Sequence, residues 1–540
     1  MRIETALSRI GSSRILGRRE FLAGALSAPL IGAQKPDARM KGNNIGAEHR
    51  PKTIAVRPDD ITVVPAFHAE LTGNLKPPPQ PRPSLNGDFC VKGFVKPSDV
   101  MTWTLRAPED GEYLIAVLYN GDNDSVVPGC TVEVSSAPQR KVQREPALLR
   151  WWAPNRPFVV RHWMKEPLPL KAGENRVTFR LSSISDGQTK LGLNPTDSAR
   201  GQQNRDFRVW SMELVRPRAL AAIKQRARDL HSTHGWMVDG KYGLFTHYST
   251  LTYPFHGDQM AYKNWEWGVN LFDVQAYADA VEQTGAKWVV FTLAHGNVYW
   301  PGPNRTLDRL LPGRTCKRDL LMELANVLEK RGIRFSLYFN WSPGDLPWRE
   351  ACGMNDETGE RLGDSFASLF EETSRRYGRK IWGFVYIDSC FSAIYQHDPP
   401  WERWTRAIKS GNRDALVGYS PNRAPNVTYF GDLQLGDFGG TLPAPSPPEM
   451  FTEGGPYEGV EPGWFIAMDG WIPRQPFNGT FHQGPRYTEQ EYVDYFKKMA
   501  AARVPVTINL SITQDVTRRQ PFFDPRCLAI MRAVRKAVQA

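Results

Sequence analysis

The stretch IWGFVYIDSCF, residues 381–391, runs through β-branched and aromatic residues and then sets one carboxylate, Asp388, where the apolar run stops. An aspartate just past a strand commonly bonds its own backbone in a turn. In a parallel barrel, by contrast, the C-terminal strand ends supply the catalytic groups of a single rim. The choice depends on whether seven further strands of the same kind accompany this one.

They do. YGLFTHY (242–248), KWVVFTLAH (287–295), RFSLYFN (334–340), WGFVYIDS (382–389), ALVGYS (415–420), VTYFGDLQL (427–435), GWFIAMDG (463–470) and VPVTINLSI (504–512) read as eight strands. Between them, FDVQAYADAVEQTG and KRDLLMELANVLEKRG space their apolar residues at helical period and end on glycine. The alternation predicts a parallel (β/α)8 TIM-like barrel over residues 217–540. A doubly wound open sheet is the alternative, but no glycine-rich phosphate loop follows the first strand. RPRALAAIKQRARDLHSTHGW, 216–236, reads as a connecting helix.

The first half has another character. MTWTLRAPEDGEYLIAVLYNGD, TVEVS, NRVTFRLSSI and DFRVWSMELV are short alternating strands punctuated by turns such as PEDGE and KAGEN. Residues 57–216 are therefore expected to form an antiparallel β-sandwich. GEYLIAVLY and AGENRVTFRL resemble strands of galactose-binding-like carbohydrate modules. Ahead of the sandwich, 34–56 reads as a linker. Residues 1–33 resemble a twin-arginine export signal, with Arg18 and Arg19 before a short apolar run. That run is too short for a stable membrane span, so a periplasmic or extracellular protein is expected.

A chain of 540 residues, 41% hydrophobic and 23% charged, has ordinary globular composition and is long enough for two domains. The net charge of +11 is scattered rather than clustered, which argues against nucleic acid as a partner and leaves an acidic or sulfated glycan open. The six cysteines form no CxxC pair, so neither a metal nor another cofactor is expected. Cys90 and Cys130 are open to a disulfide after export or to life as buried thiols. Oligomeric state is not legible.

Polar residues gather at the barrel strand ends: His247, His295, Tyr338, Asn340, Asp388, Asp469 and Asn509. Trp300, Trp341, Trp464 and Trp471 flank them. Aromatic faces stack on the apolar faces of sugars while His, Asn and Asp bind hydroxyls, so the set suggests an oligo- or polysaccharide pocket.

Several blocks resemble glycoside hydrolase family 29, the α-L-fucosidases. KYGLFTHYS is similar to the family's opening strand, and FDVQAYADAVEQTGAKWVVFTLAHGNVYW to its second block. KRDLLMELANVLEKRGIRFSLYFNW resembles the third, WGFVYIDS the strand carrying the catalytic aspartate, and VPVTINLSI the last strand. The resemblance implies that Asp388 is the nucleophile of a retaining glycosidase, with His247, His295, Trp300 and Tyr338 contacting the sugar; Asn340, Trp464 and Trp471 complete the expected binding set. A retaining enzyme also needs a proton donor about 5 Å from its nucleophile.

Two departures from the family pattern stand out. His295 is followed by Gly296 where the family carries a second histidine. In GWFIAMDGW, Phe465 occupies the place of the family's acid/base glutamate. Asp469 is the first expected substitute, with Glu449, Glu453, Glu458 and Glu461 of the preceding loop as alternatives. A glycosidase for another sugar, or a non-catalytic carbohydrate-binding protein, also remains open.

Overall fold

The computed structural model describes most of residues 51–539; outside the description lie 1–50, 77–89, 121–129, 143–159, 182–207, 253–264, 389–398, 421–427, 472–483, 515–520 and scattered single residues. The stretch expected to be an export signal, most of the expected linker and Cys390 fall outside, as does the side chain of Cys130. Contacts divide the chain into Met1–Ile45 and Gly46–Ala540, and everything below concerns the second unit.

Two largely antiparallel sheets make up the N-terminal half. In one, Val100–Ala107 pairs with Gly173–Leu181, which pairs on with Cys130–Val134. In the other, Gly111–Asn120 pairs with Arg208–Val215. Strict alternation buries Met101, Trp103, Leu105 and Ala107, which join Val177 and Phe179 in the core of this half. Ile54–Ala55 already pairs, in parallel, with Leu105–Arg106, so the sheet begins inside the stretch expected to be linker.

The C-terminal half is a ring of parallel strands: β1 (Tyr242–Thr246), β2 (Trp288–Ala294), β3 (Arg334–Asn340), β4 (Ile381–Asp388), β5 (Leu416–Tyr419), β6 (Leu433–Asp437), β7 (Glu461–Ala467) and β8 (Val506–Asn509). They neighbour one another in the order β5-β4-β3-β2-β1-β8-β7-β6. This is the expected (β/α)8 architecture with one irregularity. Among the described residues no α-helix follows β5 or β6. The face is covered instead by α1 (Pro217–Leu230), the helix read as a connector. Its Lys224 reaches Glu458 at 2.5 Å and lies over the Tyr429 ring, and its Arg226 bonds Glu402. The other strands are followed by α2 (Val274–Thr284), α3 (Leu320–Lys330), α4 (Glu360–Tyr377), α5 (Trp401–Lys409), α6 (Glu489–Ala501) and α7 (Pro525–Val538).

Where β5 meets β6, a side chain carries the closure. Asp432 donates its N–H to Val417 O (2.7 Å), and its Oδ2 accepts from Val417 N (2.8 Å). The same oxygen meets Lys409 Nζ at 2.8 Å, with both side chains almost wholly buried. Oδ1 accepts from Ser232 N (2.9 Å) and faces His231 Nδ1 at 3.2 Å. Glu461, at the N-terminal end of β7, takes His234 Nδ1 at 2.6 Å.

This cluster has a pH consequence. Hydrogen bonds to Asp432 and then Glu461 raise His231 from 6.5 to about 9. A folded-state pKa above the unfolded one means that the stabilisation is complete below about 6.5 and is lost as pH rises through about 9. His231→Gln is therefore expected to lower the melting temperature at pH 6 but to converge with the parent above pH 9, measured by calorimetry across that range.

Inside the barrel, side chains fill layers. At the bottom, Trp288 donates to Thr507 Oγ1 (3.0 Å), and a Cβ at Gly243 would lie 2.3 Å from its ring, so only glycine fits there. Arg334 lies over both Trp236 and Trp382, its guanidinium carbon 4.9 and 4.3 Å from the two ring centroids, which are themselves 5.5 Å apart. Above them, Phe245, Tyr386 and Phe465 form a middle layer, the last two stacked at 4.5 Å.

Two irregular strands aim the residues of the top layer. In β2, Thr292 pairs with Tyr338 but Ala294 pairs with Phe339, leaving Leu293 as an extra residue. Val289, Phe291, Leu293 and Ala294 all pack outward, so simple alternation would have sent His295 outward as well. The bulge restores it to the inside. In β4, the five steps from Ile381 to Tyr386 run opposite three steps of β3, from Phe335 to Tyr338. Gly383 makes that possible at φ +122°, where a Cβ would lie 2.0 Å from Leu416 O.

Candidate active site

At the C-terminal ends of β1 to β4 and β8, one polar cluster rests on the Phe245–Tyr386–Phe465 layer. Asp388 is its acid. Tyr338 OH donates to Asp388 Oδ2 at 2.7 Å, and Asn340 Nδ2 donates to the same oxygen at 2.8 Å. Asn340 cannot turn its amide over, because its Oδ1 already accepts from Ser342 N at 2.7 Å. Ser342 takes a left-handed φ of 49° at that point, a local strain of the kind found where side chains are held for function. Burial, then the negative charge of Asp388, raises the Tyr338 phenol well above its ordinary value, so it stays a donor.

Two histidines face this acid from the other side. The ring centroids of His247 and His295 are 4.9 Å apart, and those of His247 and Tyr338 are 5.0 Å apart. His247 Nδ1 lies 3.2 Å from Asn509 Oδ1. Asn509 commits its amide nitrogen to the carbonyls of Gly470 and Trp471, so its oxygen faces the ring and His247 must carry its proton on Nδ1. Nε2 is left with its lone pair. Burial, then the field of His295, holds His247 well below 6.5 and hence neutral. Burial lowers His295 too, opposed by the charge of Asp388. Its Nδ1 is buried without a hydrogen-bond partner among the described residues. Trp471 closes one wall, its ring 5.7 Å from His247 and 6.0 Å from Phe245.

Of the residues expected from sequence, the structure brings together Asp388, Tyr338, Asn340, His247, His295, Asn509 and Trp471. Asn340 has a different task from the expected sugar contact, since both ends of its amide are spent on Asp388 and Ser342. Trp300, Trp341 and Trp464 do not line the mouth. All three are buried in the layer between strands and helices, Trp300 against Phe339 and Trp341 against Phe366 and Trp404. Phe245 and Tyr386, which the sequence reading missed, form the floor; their signal is inward parity with His247 and Asp388 on the same strands.

The expected proton donors are also placed elsewhere. Asp469 is 2% exposed, and its Oδ1 accepts from Gly470 N (2.9 Å) and Ser511 N (3.0 Å), in the seam between the ends of β7 and β8. Its charge is felt by Tyr492 of α6 and by Arg526 and Cys527 of α7, on the helix side. Burial raises its carboxyl to about 6, against the backbone N–H groups of Ser511 and Gly470. Glu461 sits at the opposite end of the barrel; burial would raise it, but bonds to His231 and His234 hold it below the usual carboxylate range. Glu458 and Glu453 face Lys224 of α1, and Glu449 is exposed. No group of three or more metal-ligating side chains occurs among the described residues, and no described helix is long and apolar enough to cross a membrane.

What this arrangement offers is a carboxylate held by two donors over an aromatic floor, with neutral imidazoles beside it. Residues 233–413, which contain all of the cluster except Asn509 and Trp471, match the family model described as Alpha-L-fucosidase. The tissue alpha-L-fucosidase of Macaca fascicularis is 27% identical over 135 residues, 19% of this chain and 28% of that protein. The tissue alpha-L-fucosidase of Bos taurus is 26% identical over 154 residues, 23% of this chain and 31% of that protein. The chain thus spans less than a third of the length of these curated relatives. Among solved structures, the alpha-L-fucosidase AlfC from Lactobacillus casei, in complex with its alpha-L-fucose product, is similar at 14% identity and a TM-score of 0.37. That match covers 56% of this chain and 97% of the other.

Proposed function

We infer, from a chain whose residues 233–413 are alpha-L-fucosidase-like in sequence, that the barrel is a glycoside hydrolase acting on a terminal α-L-fucosyl or closely related sugar by double displacement. The observation that carries this reading is the Asp388 carboxylate, fixed through one oxygen by Tyr338 and Asn340 at the rim of a parallel barrel. A carboxylate so held is pre-oriented to attack an anomeric carbon, and its charge opposes the one that develops on the sugar. His247 Nε2, with its lone pair, accepts from a sugar hydroxyl, and His295 beside it offers a further polar contact. Trp471 and the aromatic floor exclude water from the apolar sugar face. The paired arginines near the N-terminus support export, and so a periplasmic or extracellular substrate.

A second reading is favoured by one specific observation. Among the described residues this cluster holds a single carboxylate, whereas a retaining site uses two carboxyl groups about 5 Å apart. A rim with one acid binds sugar without protonating a poor leaving group.

Leaving-group dependence separates the two. A chloronitrophenyl α-L-fucoside departs without a proton, while an α-L-fucosyl disaccharide needs one. Hydrolysis of the aryl fucoside, with the α-anomer as first product by proton NMR, is the expected result. Release of the inverted anomer would remove the double displacement. Binding of fucose by calorimetry with neither substrate cleaved would establish the binding protein instead.

A further inference from the structure

The seam around Asp469 connects, bond by bond, to the ring of His247. Asp469 Oδ1 accepts from Gly470 N and Ser511 N, tying the ends of β7 and β8 together. Ser511 Oγ donates to Gly470 O at 3.0 Å, and Asn509 Nδ2 donates to the same carbonyl and to Trp471 O at 3.2 Å. Asn509 Oδ1 is thereby turned to His247 Nδ1. The two carbonyls that orient Asn509 belong to the turn that Asp469 clamps. The same turn carries the Trp471 ring against His247 and Phe245.

We propose that Asp469 is a positioning residue: by clamping the Gly470–Trp471 turn to Ser511, it sets the Asn509 amide, fixes the His247 proton on Nδ1 and holds the Trp471 ring at the sugar site. It acts through backbone and amide groups and does not touch the substrate. Only the kinetic part of its test rests on the glycosidase reading.

The geometry makes a sharp distinction between substitutions. What the clamp requires of residue 469 is an acceptor oxygen, and the Oδ1 of an asparagine accepts from the same two N–H groups. A proton donor, by contrast, is lost as completely in asparagine as in alanine. Histidine-15N NMR of the full chain reads the tautomer directly, whatever the enzyme does. The parent and Asp469→Asn are expected to show His247 protonated on Nδ1 alone. Asp469→Ala is expected to show mixed tautomers and altered Trp471 fluorescence, judged against Trp471→Phe. Ser511→Ala, which keeps its N–H but loses the Oγ bonds to Gly470 O and to the Asp469 carboxyl, is the milder variant should Asp469→Ala fail to fold; it is expected to show a smaller admixture of the second tautomer. An unchanged His247 tautomer in folded Asp469→Ala, or in Ser511→Ala if the former does not fold, would overturn the relay.

In kinetics on the aryl fucoside, Asp469→Ala is expected to lose roughly 10- to 100-fold in kcat/KM, the scale on which lost outer partners act. Asp469→Asn is expected to stay within an order of magnitude of the parent. If Asp469→Asn instead falls as far as alanine on the disaccharide yet remains active on the aryl fucoside, Asp469 is the acid and the positioning role is wrong. If the parent cleaves neither fucoside, the glycosidase reading fails while the NMR test of the relay stands.

Discussion

Asp388→Gly is expected to reduce hydrolysis of a chloronitrophenyl α-L-fucoside by roughly 10⁴-fold or more, the scale on which enzymes lose a nucleophile. KM should change far less, because Tyr338, the two histidines and Trp471 remain in place. Added azide fills the space left by the carboxylate and attacks the anomeric carbon. The carbon–oxygen bond to the phenol breaks, a carbon–nitrogen bond forms, and the phenolate leaves with its electron pair. The product is then a β-fucosyl azide, identified by mass and by its anomeric proton. Tyr338→Phe and Asn340→Leu each remove one donor from Asp388 Oδ2, and each is expected to lower kcat by a smaller factor than Asp388→Gly. A variant of Asp388 that keeps parental turnover would transfer the nucleophile to another group.

The second large effect is on stability. Lys409 Nζ is buried against Asp432 Oδ2, with Ser232 Oγ at 2.6 Å and Ala415 O at 2.9 Å. Burial lowers the Lys409 ammonium, and Asp432 opposes that shift. Breaking a buried pair by removing one member typically costs about 3–5 kcal/mol, because the other charge is left in the interior. Lys409→Met is expected at the lower end of that range, because Asp432 Oδ1 keeps protonated His231 at 3.2 Å. Asp432→Leu should cost more, since it also frees Val417 N and Ser232 N at the place where β5 and β6 meet. The double variant should be much less destabilised than the sum, since it leaves no lone charge. Differential calorimetry or chemical denaturation measures all three. A loss below about 1 kcal/mol in Asp432→Leu would show that the seam is held by its backbone contacts alone.

Much of the fold was legible because a buried parallel strand has a strong local signature. All eight stretches, from YGLFTHY to VPVTINLSI, contain a strand, although β6 begins only at Leu433, near the end of VTYFGDLQL, and the cluster of His247, Tyr338, Asn340 and Asp388 followed from their common rim. What escaped was direction. Position at a strand end says which rim a residue reaches, but parity says which way it points. Trp464 and Ile466 face the helices while Phe465 faces the barrel axis. That alternation was readable, and it removes Trp464 from the pocket. Asp469 was harder, since it lies beyond the last ladder pair of β7 and answers to Gly470 and Ser511 rather than to the pleat. Glu461 was misplaced because a loop that starts at one rim ends at the other. The register shifts of β2 and β4 left one visible trace, a glycine inside the strand WGFVYID. At Leu293 there was none.

That bulge gives the site an unusual kind of fragility. The direction in which His295 points is governed by a count, one surplus residue between Thr292 and Ala294, and not by the chemical nature of any neighbour. Point substitutions at Leu293 can preserve the count; a single-codon deletion cannot. Deleting Leu293 would let Ala294 follow Thr292 in plain alternation and keep the imidazole inside, whereas closing the bulge with every residue kept, or adding one more residue, would turn it outward. The make-up of this pocket is therefore open to revision by one added residue in β2, a change that residue-by-residue exchange does not reach.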